Sequence, residues 1–220
     1  MRGPASRARI GVACGLAATA LYRLGRAWGS HEDERGRPLP GDELVPHPSI
    51  VTDHAIDIEA PAEQIWPWLV QMGWGRGGWY THRWVDVVLF PANAPSAEAI
   101  RPELQRLAVG DAIPDGPPES GCVFTVERLE PNRALVLRSR THLPPPLLTH
   151  PGVRLDFSWA FVLEPLSAER TRLHFRARSA VRPLWLLAAY HLLLVPGDFV
   201  MARSMCRGLR RRAETAIGVA

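Results

Sequence analysis

The stretch Ile65–Trp84 reads I-W-P-W-L-V-Q-M-G-W-G-R-G-G-W-Y-T-H-R-W. Five of the eight tryptophans of the chain and four of its glycines lie within it. Aromatic side chains offer large apolar faces with a few directed polar groups, and glycine allows a sharp turn or a close approach to a ligand. The stretch therefore predicts a short helix, a glycine-rich bend and a second aromatic helix, which together form one wall of a cavity.

The composition indicates a globular protein with an uneven distribution of charge. The 220 residues are 46% hydrophobic and carry a formal net charge of +4, and all 26 basic residues are arginine. Arginine exceeds the acids by seven to three in residues 1–37 and by ten to two in residues 170–220. Residues 38–169 hold nine arginines against seventeen acids. Two basic ends around an acidic middle do not suit a nucleic-acid groove, so we expect no nucleic-acid partner.

Residues 1–29 form a basic and apolar segment outside the predicted domain. The apolar run Ile10–Tyr22 has arginines on both sides. As a helix it spans roughly 20 Å, less than a hydrocarbon core of about 30 Å. A membrane anchor, a cleaved signal and a packed N-terminal helix remain open as interpretations. We predict that this segment associates the protein with a membrane surface and that the rest is cytoplasmic.

The segment 30–48 is rich in proline and polar residues and predicts an extended linker, followed by one domain over residues 49–216. Val51–Glu59 has the alternation of a strand. Helical spacing follows from Pro61 to Met72, where Pro67 marks either a kink or the restart of a helix. A second helix is predicted over Trp79–Phe90, and Ser96 predicts the cap of a further helix through Leu107.

The second half of the chain predicts a sheet followed by helices. Leu173, Phe175 and Ala177 alternate with Arg172, His174, Arg176 and Arg178, which predicts one buried and one solvated face. The apolar segment Leu184–Val195 is predicted to break at Pro196-Gly197, before a long helix from Asp198. The order of elements indicates an α+β fold with helices on one face of an antiparallel sheet. The predicted strands are Cys122–Leu129, Ala134–Arg140, Arg154–Leu163 and Thr171–Val181, with a short one at Ala112-Ile113.

Several sequence motifs resemble the helix-grip superfamily of START-like proteins (SRPBCC), which includes the polyketide cyclase/dehydrase-like and Bet v 1-like families. The closest resemblance is to a bacterial branch of actinobacterial type, and it covers about residues 39–215. The resemblance implies a curved antiparallel sheet around a long C-terminal helix, with a ligand cavity between them. The motifs stand at Leu39–Leu44, Ile58–Gly73, Gly75–Tyr80, Gly110–Pro114, Phe124–Arg138, Trp159–Leu166 and Asp198–Met205.

The chain departs from that branch at two places. His82 and Arg83 stand where relatives often have tyrosine or an acid. Leu184–Val195 is unusually long and apolar, and it predicts either a lid over the cavity or a segment that lies on a membrane.

No catalytic or metal-binding motif can be recognised in the chain. It contains neither G-x-S-x-G nor H-E-x-x-H, and Gly75–Gly78 lacks the ending of a phosphate-binding loop. The three cysteines and eight histidines show no spacing typical of a metal site or a disulfide framework. We expect no metal and no cofactor, and no catalytic residue is assigned.

Six aromatic or basic residues are candidates for ligand contact. The glycine bend supplies most of them, and Trp159 faces them from the sheet. The first hypothesis is a protein that binds a small hydrophobic molecule between the sheet and the C-terminal helix. The alternatives are a cyclase or dehydratase acting on a polyketide or aromatic substrate, and a structural or partner-binding domain whose cavity is filled by its own side chains. The candidates are Trp74, Arg76, Trp79, Tyr80, Trp84 and Trp159.

Overall fold

The structure is a computed structural model that describes residue 19 and residues 22–215. Within the N-terminal segment, residues 22–27 are helical. Most of the predicted membrane anchor therefore lies outside the described residues.

Six antiparallel strands form one sheet in the order β1-β6-β5-β4-β3-β2. Strands β2 to β6 pair in the order in which they follow along the chain, and β1 lies at the other edge, paired with β6. The strands are β1 (Ile50–Ile58), β2 (Ala112–Pro114), β3 (Val123–Glu130), β4 (Ala134–Ser139), β5 (Arg154–Ser167) and β6 (Arg170–Arg182).

The helices precede the sheet, connect its strands and end the chain. They are α1 (Glu32–Gly36), α2 (Ala62–Val70), α3 (Arg83–Leu89), α4 (Pro145–Leu148), α5 (Leu184–Ala189) and α6 (Val195–Thr215), with a π-helical turn at Tyr190–Leu194 and 3-10 turns at Asp42–Leu44, Pro102–Leu104 and Pro118–Ser120.

The core lies between one face of the sheet and α6. The apolar face of α6 is buried through Met205, Cys206 and Leu209. These side chains belong to the same cluster as Phe161 and Phe175 of the sheet. A curved antiparallel sheet around a long C-terminal helix is the helix-grip fold, so the α+β fold class predicted from the sequence is confirmed.

Two predicted helices differ in the structure. The second aromatic helix begins at Arg83, not at Trp79. Tyr80 adopts the left-handed conformation (φ 59°), which is incompatible with a right-handed helix at that residue. The helix predicted from Ser96 is replaced by the turn at Pro102–Leu104. Ser96 does not cap a helix, since its hydroxyl accepts a hydrogen bond from the backbone N–H of Tyr80 at 2.9 Å.

The predicted break at Pro196-Gly197 is also absent. The chain stays helical from Leu184 to Thr215 and bends by 47° between Leu184–Leu192 and Val195–Thr215. Pro196 directly follows the π-helical turn at Tyr190–Leu194 and Val195, and a proline and a π-helical turn are both usual causes of a bend within a helix. Helix α2 runs without interruption from Ala62 to Val70, although it contains Pro67.

Residues 30–48, here called the strap, lie across the outer face of the sheet. Leu39 and Val45 of the strap are buried. Beneath it, His174 and Arg176 are also buried, with exposures of 0% and 3%. The prediction of a solvated face on β6 is therefore wrong at these two residues. A period of two distinguishes the faces of a strand but does not reveal what covers the polar one.

The strap is held by a network of ion pairs. Arg176 donates from Nε to Asp53 Oδ1 at 2.6 Å and from Nη1 to Asp42 Oδ2 at 2.8 Å. It also donates to the backbone carbonyls of residues 34, 35 and 37. Arg172 forms a bidentate pair with Glu34 at 2.6 and 2.7 Å. Charge-assisted pairs of this geometry add to the burial of Leu39 and Val45 in fixing the strap on the sheet.

The buried acids of this network predict a loss of stability at low pH. Burial alone would raise the pKa of Glu34, but the hydrogen bonds from Arg172 and the His31 N–H outweigh it and lower the pKa to about 2. The pKa of Asp53 is likewise lowered by His174 and Arg176 against its burial. A depressed carboxyl pKa stabilises the fold above the unfolded pKa and loses that contribution as the pH falls toward the folded one.

We therefore expect the urea midpoint of unfolding to fall steadily from about pH 4.5 to pH 2. In Glu34→Gln, the dependence of the midpoint on pH in that window should be weaker. An identical dependence in the variant and the wild type would show that the Arg172 pair does not stabilise the strap.

Candidate ligand-binding site

The interior between sheet and α6 is filled by aromatic side chains. Trp79 and Trp159 are 4% and 3% exposed, and their ring centroids lie 5.3 Å apart. Phe124 lies 5.3 Å from Trp159, and further phenylalanines continue the cluster along the sheet. The cavity that remains beside the two tryptophans has a volume of about 20 Å³, the space of about one water molecule. This cavity is therefore too small for an organic ligand.

The two interior tryptophans nevertheless carry unused polar groups. Neither the Nε1–H of Trp79 nor that of Trp159 has a hydrogen-bond acceptor among the described residues, although both atoms are buried. A buried indole N–H usually finds a partner. Both indoles line the small cavity together with Asp115.

Three polar residues that are linked by hydrogen bonds lie at the edge of this aromatic cluster. His142 contacts Asp115 Oδ2 through Nε2 at 2.9 Å and Ser139 Oγ through Nδ1 at 2.6 Å. Its ring centroid is 4.4 Å from that of Phe124. Motif spacing does not reveal these hydrogen bonds, because Asp115 and His142 are far apart in the sequence and lie in two loops. The fold brings them together because the strands before those loops, β2 and β4, both pair with β3.

A larger concave surface lies on another side of α6, between that helix and α3. This groove has a volume of about 560 Å³. Pockets for small molecules commonly enclose about 300–1,000 Å³. One wall is the segment from Tyr80 to Asp86, and the other is α6 from Phe199 to Arg212.

Tyr80 fixes the shape of the groove. Its hydroxyl donates to the carbonyl of Trp68 at 2.7 Å, and burial raises its pKa well above the usual value. The guanidinium of Arg212 lies 4.9 Å from the Tyr80 ring centroid. Gly208 of α6 lies against the Tyr80 carbonyl, since a Cβ at this position would stand only 1.8 Å from that oxygen. The absence of a side chain therefore sets how closely α6 approaches the bend.

The groove carries an excess of positive charge. Five arginines and two acids line it. Arg211 and Arg212 are paired with Glu98 at 2.8 and 2.6 Å. In the described part of the chain Arg203 and Arg207 have no carboxylate partner, and the buried Nε of Arg203 has no hydrogen-bond acceptor. The guanidinium groups of both lie about 6 Å from the Trp28 ring, at 5.9 and 6.0 Å.

The six predicted contact residues separate into three groups. Tyr80 and Trp84 line the groove, where Trp84 is 55% exposed. Trp79 and Trp159 meet in the filled interior. Trp74 and Arg76 line neither space. His82 and Arg83, which depart from the family pattern, line the groove.

Arg76 has a local role at the end of α2. Its guanidinium donates to the carbonyls of Met72 and Val70, both at 2.9 Å, and burial lowers its pKa. An arginine at this place satisfies carbonyls that a helix end leaves without partners. Trp74 donates its indole N–H to the carbonyl of Ala92 at 3.0 Å. Both residues stabilise the bend through their hydrogen bonds.

Within residue 19 and residues 22–215, no group of three or more His, Cys, Asp or Glu side chains could hold a metal ion. Taken singly, none of the helices described there is long and apolar enough to cross a membrane. The bent pair Leu184–Leu192 and Val195–Thr215 meets that test only when its two parts are combined.

Comparisons with known proteins find similarity in structure but not in sequence. No protein-family model matches the chain, and no curated protein matches it in sequence. Similar solved structures include protein MLL2253 from Mesorhizobium loti, with 18% identity over 76% of this chain and 98% of that one and a TM-score of 0.43. DynU16, from the dynemicin biosynthetic locus, has 16% identity over 77% of this chain and 49% of its own, with a TM-score of 0.42.

A point mutant of norcoclaurine synthase from Thalictrum flavum, solved with a transition-state analogue, is a third similar structure. It shares 14% identity over 73% of this chain and 93% of its own, with a TM-score of 0.41. At these identities and scores the likeness carries no functional argument. The helix-grip fold is assigned from the sheet and α6 of this chain, and the bacterial branch remains a prediction.

Proposed function

We propose that the protein binds a small amphipathic anion, with an aromatic or aliphatic body, in the groove between α3 and α6. The observation that carries this proposal is the pair Arg203 and Arg207, which have no carboxylate partner in the described chain although they line a groove of about 560 Å³. Unpaired guanidinium groups beside aromatic rings suit a carboxylate, sulfonate or phosphate ester.

The apolar part of the ligand would lie beside these arginines. Trp84 is half exposed on one wall, and Phe199 stands on the other with the Arg203 guanidinium 5.9 Å from its ring centroid. An exposed tryptophan offers a large apolar face at little cost in side-chain entropy. The proposal keeps the predicted hydrophobic-ligand function but places the ligand beside α6, not between α6 and the sheet.

The first test is a titration with 8-anilinonaphthalene-1-sulfonate, an aromatic sulfonate whose fluorescence rises in apolar surroundings. The double variant Arg203→Gln/Arg207→Gln should bind it about tenfold more weakly than the wild type, because two charge-assisted contacts are lost. Arg210→Gln is the matched control, since Arg210 lies on the same helix, outside the groove, and pairs with Glu214 at 3.9 Å. Equal affinity in the double variant and the control would contradict the proposal.

A second candidate function is acid–base catalysis in the interior. It is favoured by the contact between Asp115 and His142 at the edge of the aromatic cluster, because a pair of titratable groups beside a cavity supports a cyclase or dehydratase. The small volume of the adjoining cavity, about 20 Å³, places this candidate second. A substrate there would have to displace interior side chains. It would change the surroundings of Trp79 and Trp159 more than those of Trp84.

A further inference from the structure

The segment after the sheet is apolar on both its buried and its exposed side. Leu186 of α5 is buried in a small cluster with Leu155 and Val181. On the other side, Leu184, Trp185 and Leu192 are 82%, 57% and 75% exposed. With Ala188, which is also exposed, they follow helical spacing and form one continuous stripe. A helix that is hydrophobic all round is typical of burial on both sides, in protein or in lipid.

The N-terminal segment enters the fold beside this stripe. The hydroxyl of Tyr22 contacts His191 Nδ1 at 2.6 Å. Gly25 lies against Val195, where a Cβ would be 3.6 Å from its side chain. The described part of this segment therefore begins, at Tyr22, beside the residue that precedes Leu192.

The surroundings of the stripe are basic. Arg182 lies at the end of β6, shortly before α5, and Arg154 on β5 is paired with Arg182 in the sheet register. Arg23 follows Tyr22 in the N-terminal helix. All three are exposed, and within the described residues none forms an ion pair with a carboxylate. Exposed arginines around an apolar face, with a tryptophan among the leucines, have the composition of a surface for anionic lipid.

We infer that the stripe Leu184, Trp185, Ala188 and Leu192 docks onto an anionic membrane surface. The stripe enters the interface while the opposite side of its helical segment stays packed on the sheet. One short apolar face with basic surroundings gives reversible binding.

The test is co-flotation of the full chain with vesicles of phosphatidylcholine and phosphatidylglycerol. Leu184→Gln/Leu192→Gln should weaken partitioning into the vesicles by about tenfold or more, because two leucine side chains are no longer transferred from water into the membrane interface. Leu166→Gln is the matched control, since Leu166 is 52% exposed at the opposite end of β5 from Arg154. The control should float like the wild type, and thermal unfolding should be unchanged in both variants because all three leucines are exposed.

A second measurement separates the stripe from the N-terminal segment. Lipids with brominated acyl chains should quench the tryptophan fluorescence of the wild type, and Trp185→Phe should remove a large part of the quenched signal. Flotation of the double leucine variant like the wild type, or quenching that Trp185→Phe leaves unchanged, would overturn the inference. A dimer in the absence of vesicles that dissociates in the double leucine variant would also overturn it, because the stripe would then bind a second copy.

Discussion

Arg176→Ala should lower the free energy of unfolding by about 3–5 kcal/mol, the range for removing one partner of a buried ion pair. Arg176 is 3% exposed and donates to Asp53, to Asp42 and to three carbonyls of the strap. Without it, the Asp53 carboxylate stays buried with the His174 imidazole as its remaining side-chain hydrogen-bond partner among the described residues. Urea unfolding followed by circular dichroism at neutral pH measures the change.

Arg170→Ala is the control for this prediction. Arg170 lies on the same strand but is exposed, and its pairs with Asp57 and Glu59 are worth less than about 1 kcal/mol as surface pairs. Asp53→Asn should cost less stability in the Arg176→Ala background than in the wild type, since the two residues form one unit. If Arg176→Ala costs no more than Arg170→Ala, the strap is not held by the buried network.

Gly208→Ala should destabilise the protein by about 3 kcal/mol, the upper part of the range for overpacking. The added Cβ would stand 1.8 Å from the carbonyl oxygen of Tyr80 and 2.9 Å from its carbonyl carbon. Backbone atoms cannot give way as a side chain does, so α6 must move away from the bend. This displacement would widen the groove, and binding of the aromatic sulfonate should weaken as well.

Gly197→Ala provides the matched control within α6. Nothing lies within 4 Å of a Cβ at that position, so the substitution should be neutral or stabilise the helix by up to about 1 kcal/mol. Thermal unfolding of both variants measures the difference. If Gly208→Ala is as stable as Gly197→Ala, the close contact between α6 and Tyr80 does not exist.

The fold could be predicted because its signals are local. Alternation along β1 and β6 and helical spacing along α6 are set by which side chains leave water, and each pattern lies within one element. The covered face of β6 could not be predicted from its own residues. His174 and Arg176 are polar, as on a solvated strand, and only the distant acids Asp42 and Asp53 explain why they are buried.

The site was predicted less completely than the fold. The pattern of aromatics and glycines predicts a bend at a cavity wall, and the bend does form part of the groove through Tyr80 and Trp84. The pattern shows neither the left-handed backbone at Tyr80 nor that Trp79 is buried while Trp84 is exposed. Helical periodicity places the arginines of α6 on the polar side of the helix, but it does not show which of them lack a carboxylate partner.

The most direct test of the binding groove is an NMR titration of the indole N–H resonances with 8-anilinonaphthalene-1-sulfonate. Tryptophan-to-phenylalanine variants assign these resonances. A ligand in the groove should shift the resonances of Trp84, which lines it, and of Trp28, whose ring lies 5.9 and 6.0 Å from the guanidinium groups of Arg203 and Arg207. The resonances of the interior Trp79 and Trp159 should stay unchanged. Shifts at Trp79 and Trp159 would place the ligand between the sheet and α6. Shifts confined to Trp185 would place it on the exposed apolar stripe that includes Leu184 and Leu192. Either result would contradict binding in the groove.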